Sequence, residues 1–152
     1  MITKYPYDSD KIDMLLNELS HISYLFPEDS NETMTFTAGL VANAFSDWAE
    51  IVDNNAVSLS SRHPDCGKHI SSFIVESTTV KDKVFIYEIS YGDDRTIVAR
   101  GRIISGTVQL STIAQERMRN LGIPKEETIY YRMKCETGGA SLTATIRYHC
   151  DE

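Results

Sequence analysis

The apolar residues of this chain recur first at the three- to four-residue spacing of a helix and then at the two-residue spacing of strands. Between residues 34 and 52, apolar side chains recur every three or four positions. They form one stripe, made of Val41, Ala44, Phe45, Trp48 and Val52. A stripe this wide predicts a helix packed against a large apolar surface. The opposite side of that helix would carry Asn43, Asp47 and Glu50 along one line.

Strand patterns follow, with no second helix between them. Stretches at 69–80, 84–91 and 95–108 are rich in β-branched and aromatic residues, which favour strands. Gly92-Asp93-Asp94 predicts a hairpin between the last two stretches. A shorter strand is expected at 56–60, ahead of a turn rich in Pro and Gly.

The two ends of the chain add further elements. Helical spacing predicts an N-terminal helix over residues 8–26 and another helix over 111–121. A final hairpin is expected between 128–135 and 142–150. The predicted fold class is therefore α+β, with an antiparallel sheet wrapped around a central helix. The 152 residues suit one domain, with a core at about 34–108 and extensions at 8–26 and 111–150.

Composition narrows the range of partners. The chain has 15 basic and 22 acidic residues and a net charge of −7, with no basic cluster along the sequence, so we expect no nucleic-acid partner. It has no apolar run that could span a membrane and no signal-peptide pattern near Met1, which predicts a cytoplasmic protein without membrane contact. Cys66, Cys135 and Cys150 are odd in number and far apart, which argues against a disulfide framework and fits a reducing compartment.

Three segments resemble a known family. Residues 38–49, Ala-Gly-Leu-Val-Ala-Asn-Ala-Phe-Ser-Asp-Trp-Ala, are similar to the Gly-led central helix of the hotdog fold in the thioesterase and acyl-coenzyme A dehydratase superfamily. Residues 57–68 resemble that family's strand and Pro-containing turn. Residues 80–106, with Ala99-Arg100-Gly101 near their end, resemble its last two long strands. The resemblance covers about half of the chain and implies a hotdog-like fold. One such domain leaves a sheet edge open, so a homodimer is expected.

The resemblance also implies a chemistry. In hotdog thioesterases a helix carboxylate orients water or attacks the thioester, and a helix N-terminus polarises the carbonyl. Counted from Gly39, Asp47 stands where such enzymes carry the carboxylate, and Asn43 and Glu50 would share its line. These three are the candidate catalytic residues for hydrolysis of an acyl thioester. The alternative is that they form only the solvated side of an amphipathic helix.

Candidate substrate-binding residues accompany them. Gly39 and Thr37 lie at the start of the predicted helix, and Ser60 stands where some relatives carry a histidine on the following strand. The phosphates of a coenzyme A ester, with no other cofactor, would meet nearby cations. These are Arg62, Lys68, Arg95, Arg100 and Arg102. Arg100 and Arg102 share one strand face, although pairing with surface carboxylates is the alternative for all five cations.

Two other functions remain open. One is a non-catalytic hotdog protein that binds an acyl-coenzyme A or another small ligand. The other is a small metal-binding or assembly protein that uses His63, Cys66 and His69. Zinc accepts histidine and cysteine ligands, but His-x-x-Cys-x-x-His is not a standard spacing, so we expect no metal.

Overall fold

The computed structural model describes residues 22–106, 114–118 and 122–151. These residues form nine β-strands and one 3₁₀ turn at Leu59–Ser61. The strands are β1 (Ser23–Phe26), β2 (Met34–Thr37), β3 (Ala49–Glu50), β4 (Gly67–Thr78), β5 (Val84–Tyr91), β6 (Thr96–Ile104), β7 (Ala114–Arg117), β8 (Ile129–Cys135) and β9 (Ser141–Asp151). Within the described ranges, no helix is long and apolar enough to cross a membrane.

The strands form two antiparallel sheets with a nested order of pairing. The first sheet runs β1-β9-β4-β7, with β2 also on β9, and the second runs β3-β8-β5-β6. Thus β2 pairs with β9, β3 with β8, β4 with β7 and β5 with β6. The chain folds back on itself at the β5–β6 turn, so that each strand before the turn pairs with one after it. These pairs alternate between the two sheets. This nested arrangement is that of a jelly-roll β-sandwich.

Alternation of side chains builds the core between the sheets. Along β8, buried and partly exposed residues alternate over the whole strand. Aromatic rings join the two layers: Phe36 of the first sheet stacks on Tyr131 of the second, with centroids 3.8 Å apart. Phe73 stacks on Tyr87 in the same way at 4.3 Å. Gly101 lies opposite Tyr87, and a Cβ atom at Gly101 would overlap the tyrosine ring, so the core requires glycine there.

The predicted central helix and the hotdog-like α+β fold are wrong. Residues 38–48 instead form an irregular segment beside β8, between β2 and β3. Asn43 has a φ of +61°, outside the helical region, and its N–H donates to the Cys135 carbonyl. Ser46 N–H likewise donates to the Met133 carbonyl, so strand β8 accepts hydrogen bonds that a helix would make internally. None of the five residues in the predicted stripe is fully buried.

The terminal elements also differ from the prediction. The sequence predicts an N-terminal helix over residues 8–26. Residues 8–21 lie outside the described residues, and residues 23–26 form strand β1 instead of a helix. Within the predicted helix at 111–121, residues 114–117 form strand β7 instead. The other residues of that prediction, apart from Met118, lie outside the described ranges. Strands occur at 128–135 and 142–150 as predicted, but they belong to different sheets, so they form no hairpin. The predicted β5–β6 hairpin is confirmed. The predicted strand at 56–60 is wrong, because residues 56–58 belong to no strand and the 3₁₀ turn begins at Leu59.

A disulfide bond joins Cys66 to Cys150, contrary to the expectation from spacing. Cys66 immediately precedes β4, Cys150 lies near the end of β9, and Lys68 of β4 pairs in register with Cys150. The antiparallel β4–β9 ladder therefore brings two cysteines that are 84 positions apart to a Cα–Cα distance of 5.5 Å. The third cysteine, Cys135, is a buried thiol.

Candidate functional site

The outer surface of the second sheet carries charged side chains in ordered rows. Register places Lys134, Ile86 and Arg102 side by side across β8, β5 and β6. The next row is Arg132, Glu88 and Arg100. Because alternate residues of a strand point to the same side, both rows lie on the face turned away from the core. We call the four cations of these rows the basic face: Arg100, Arg102, Arg132 and Lys134.

Glu88 organises the basic face from its centre. The residue is only 4% exposed, and its carboxylate accepts a 2.8 Å hydrogen bond from Arg100 Nε. Arg132 donates two more, from Nε at 3.1 Å and Nη2 at 2.9 Å. Burial alone would raise the pKa of Glu88, but the hydrogen bonds and charges of the two arginines outweigh it and hold the pKa below its ordinary value. Glu88 is therefore ionised near neutral pH and fixes both guanidinium groups.

Aromatic rings contact two cations of the basic face, Arg132 and Lys134. Arg132 lies over the rings of Phe45 and Trp48, 4.4 and 4.6 Å from their centroids. Lys134 Nζ lies 4.7 Å from the centroid of Phe45. These are cation–π distances, so the segment before β3 covers one border of the basic face. Trp48, which the sequence pattern assigns to a helix core, contacts a surface cation instead.

The basic face carries a local excess of positive charge on an acidic protein. Its two rows contain four cations and one carboxylate, while the whole chain has a net charge of −7. The Arg100 side chain is 70% exposed, and Arg102 is also exposed. Neither Arg102 nor Lys134 forms an ion pair with a carboxylate of residues 22–106 or 122–150. Such an arrangement produces a positive potential that attracts anions.

A cleft adjoins the basic face. Its volume is about 450 Å³, within the range of small-molecule sites. Most of its walls come from the irregular segment between β2 and β3, and they are largely apolar. The lining residues are Thr37, Ala38, Gly39, Leu40, Val41, Ala44, Phe45, Ser46, Asp47, Ala49 and Tyr131. We call this feature the apolar cleft.

Two contacts fix the shape of the apolar cleft. Tyr131 Oη accepts a 3.1 Å hydrogen bond from the Thr37 N–H. Gly39 lies so close to the backbone of Ala44 and Phe45 that a Cβ atom would overlap it. Glycine at this position therefore allows the segment to fold back on itself and form the wall.

The candidate catalytic residues do not come together as predicted. Asp47 lines the apolar cleft with Thr37 and Gly39, two of the predicted substrate-binding residues. Asn43 is exposed and does not line the cleft. Glu50 also lies outside the cleft lining, where it accepts a 3.4 Å hydrogen bond from Ser60. The line of Asn43, Asp47 and Glu50 depended on a helix, and its absence separates them.

The five predicted phosphate-binding cations do not lie together. Arg100 and Arg102 belong to the basic face, and Arg95 lies nearby, 3.7 Å above the ring of Tyr130. Arg62 instead pairs with Glu28 at 3.2 Å. Lys68 is buried in the first sheet, and burial lowers its pKa.

Sequence reasoning missed Glu88, Arg132 and Lys134. The signal for them was present, because strand alternation places Arg132 and Lys134 on one side of β8 and Glu88 on the outward side of β5. Their convergence depends on the pairing of β5 with β8, which places Glu88 opposite Arg132, 44 positions away in the chain.

The residues of the metal-binding alternative have other contacts. Cys66 is in the disulfide, and His63 Nδ1 lies 2.9 Å from Tyr148 Oη. The rings of His69 and His149 stack across β4 and β9 with centroids 5.3 Å apart. In the described part of the chain, no three His, Cys, Asp or Glu side chains are grouped to hold a metal ion. Burial raises the pKa of Tyr148 to about 12.

Comparisons with known proteins leave the function open. No protein family and no curated protein sequence matches this chain. Among solved structures, it is similar to a chain of "Structure of infectious bursal disease virus Gx strain", with 15% sequence identity and a TM-score of 0.39. The alignment covers 86% of this chain and 32% of the viral chain, so this chain spans about a third of that protein's length. A likeness of this size assigns neither a family nor a function.

Proposed function

We propose that this protein is a non-catalytic binding module whose basic face binds an anionic small molecule. One observation carries the proposal: buried Glu88 holds two arginines in place at the centre of a cationic surface. Guanidinium groups that are already ordered lose little entropy when an anion binds, and they match the geometry of phosphate and carboxylate oxygens.

The basic face retains binding capacity beyond its contacts with Glu88. The hydrogen bond from Arg100 to Glu88 uses only Nε, and Arg102 and Lys134 lie in a row without any carboxylate. Charge-assisted hydrogen bonds to an anion are stronger than neutral ones. A ligand that carries phosphate would therefore add negative charge where the fold has gathered positive charge.

Binding is favoured over hydrolysis. Hydrolysis of an acyl thioester by Asp47 stays a prediction, but the helix expected to orient its carboxylate and polarise a carbonyl is replaced by an irregular segment. A coenzyme A ester remains a candidate ligand because it carries phosphates. The metal-binding alternative loses one ligand, since the Cys66 sulfur is bonded to Cys150.

Trp48 provides a direct assay. It is the chain's one tryptophan and lies over Arg132, so its fluorescence reports on the border of the basic face. We expect coenzyme A and inorganic pyrophosphate to change Trp48 emission saturably, with weaker binding at high salt. The double variant Arg102→Glu, Lys134→Glu should weaken binding at least tenfold.

Arg147→Glu is the matched control, because Arg147 is exposed on β9 of the other sheet. The control should bind as the unaltered protein does. Calorimetry that detects no saturable binding of either probe, or equal binding by the double variant, would reject the proposed function.

Location and assembly belong to the same proposal. The cytoplasmic location stays a prediction, and the disulfide opposes it because disulfides persist mainly in oxidising compartments. Mass measurement after rapid alkylation of protein from its native source would show whether Cys66 and Cys150 are bonded. The homodimer also stays a prediction, which sedimentation of the purified protein would test.

A further inference from the structure

We infer that the basic face and the apolar cleft are two halves of one site, and that its ligand is a free anionic amphiphile, an alkyl chain carrying a phosphate. The inference rests on the proposed function, because the basic face would bind the phosphate. It extends that function by adding the apolar cleft as the seat of the alkyl chain.

Phe45 joins the two halves. Phe45 is one of the residues that line the apolar cleft, and its ring contacts Arg132 at 4.4 Å and Lys134 at 4.7 Å. Phe45 therefore borders both the cations and the apolar cleft. This shared residue is the reason for assigning both halves to one ligand.

The phosphate seat is the row of Lys134, Ile86 and Arg102. In the neighbouring row Glu88 already neutralises part of the charge of Arg100 and Arg132. Ile86 between Lys134 and Arg102 offers no competing carboxylate. The two cationic residues are two strand spacings apart, about 10 Å between backbones, and their long side chains can converge on one phosphate above Ile86.

Exposed apolar residues mark the seat of the alkyl chain. Leu40 is 90% exposed and Val41 is 69% exposed, and both line the apolar cleft. They are the two most exposed large hydrophobic residues of the described ranges. Exposed apolar surface gathered at one cleft, beside a cationic surface, fits a ligand with an apolar part and an anionic part.

Charge favours a free molecule over a membrane as the source of this chemistry. The net charge of −7 would repel an anionic bilayer, whose surface extends over the whole protein. A single amphiphile is small enough to interact mainly with the positive charge of the basic face, and not with the negative charge of the whole protein. Asp47 in the cleft lining also disfavours a second anionic group there, which directs the phosphate toward the cations.

The test is a series of phosphates with one head group and different chains: ethyl, butyl and octyl phosphate, each below its aggregation concentration. We expect octyl phosphate to bind at least tenfold more tightly than ethyl phosphate, because each methylene buried in the cleft favours binding. The double variant Leu40→Ser, Val41→Ser should lose this gain and keep its affinity for ethyl phosphate.

Leu25→Ser is the matched control, since Leu25 is an exposed leucine of β1 on the first sheet. It should keep the full gain with chain length. Circular dichroism of all variants would establish that the fold is retained, which is expected because the altered side chains are exposed.

Several results would overturn the inference. Equal affinity for ethyl and octyl phosphate would reject the two-part site. If the Lys134→Glu variant then bound neither phosphate, anion binding by the basic face would still stand. If the Leu40→Ser, Val41→Ser variant still bound octyl phosphate more tightly than ethyl phosphate by the same factor, the alkyl chain would have to bind outside the apolar cleft. Sedimentation with phosphatidylserine vesicles, without binding of free octyl phosphate, would point to a lipid surface. Absence of binding by every phosphate would reject the proposed function as well.

Discussion

Arg132 donates two hydrogen bonds to the buried carboxylate of Glu88, which lies directly opposite it on the neighbouring strand. The same guanidinium group lies over Phe45 and Trp48. Arg132 therefore connects the outer surface of the second sheet to the segment that forms the apolar cleft. Through Phe45, which lines the apolar cleft, this pair borders both halves of the proposed site.

Glu88→Gln should destabilise the protein. The amide cannot neutralise two neighbouring guanidinium groups, and a buried charge network that loses one member is costly. Because both arginines are partly exposed, we expect a loss of about 1–3 kcal/mol in the free energy of unfolding. Urea denaturation would measure it. Glu126→Gln, at an exposed turn, is the control and should change stability by less than about 0.5 kcal/mol.

Acid should unfold the protein partly through Glu88. Its pKa in the folded state lies below the ordinary glutamate value, so on acidification the unfolded chain takes up a proton before the folded protein does. The stabilisation is present above about pH 4–5 and is lost as the pH falls through the folded-state pKa. Glu88→Gln should flatten this part of the stability profile. A variant with the same acid dependence as the unaltered protein would show that other carboxylates control it.

Tyr148 should titrate later than the exposed tyrosines. Its folded-state pKa is raised to about 12, so its stabilisation is complete below pH 10 and is lost as the pH rises toward 12. Ultraviolet difference absorbance should show a last tyrosinate step near pH 12 or at unfolding. Tyr148→Phe should remove one tyrosine from that step. A spectrum unchanged in this step would mean that Tyr148 ionises with the exposed tyrosines.

Reduction of the Cys66–Cys150 bond should lower stability substantially. The bond closes a loop across 84 positions, and the chain-entropy model gives a contribution of about 4.5 kcal/mol for a loop of this size. Urea denaturation with and without reductant would measure the difference. The double variant Cys66→Ser, Cys150→Ser should be less stable and insensitive to reductant. Equal stability of reduced and oxidised protein would contradict the prediction.

Sequence reasoning located several strands and the β5–β6 hairpin, and it missed the pairing of strands that are distant in the chain. Strands β5 and β6 and their hairpin follow from alternation and turn residues, which are local signals. In β2, Met34 and Phe36 are buried while Thr35 and Thr37 are exposed, a strand pattern that the overlapping helical stripe concealed. The stripe itself arose because residues at helical spacing serve separate purposes: Trp48 covers a cation, while Val41 lines the cleft mouth.

The candidate site was predictable only in part for the same reason. Arg100 and Arg102 could be placed on one strand face because they are two positions apart. Glu88 and Arg132 are 44 positions apart, and only the β5–β8 ladder brings them together. The disulfide likewise depends on the β4–β9 ladder. The alternation of residues along one strand predicts which side chains share a face of the sheet. Which residues lie opposite one another on neighbouring strands depends on the pairing of the strands in the whole fold.

The most direct test of the account is a titration of isotope-labelled protein with octyl phosphate, followed by backbone amide chemical shifts. We predict saturable shifts that concentrate at residues 86–88, 100–102 and 132–134 on the basic face, and at 38–47 around the apolar cleft. Strands β1, β4 and β9 should change little. Shifts confined to those three strands, or no saturable shifts at all, would contradict the proposed site.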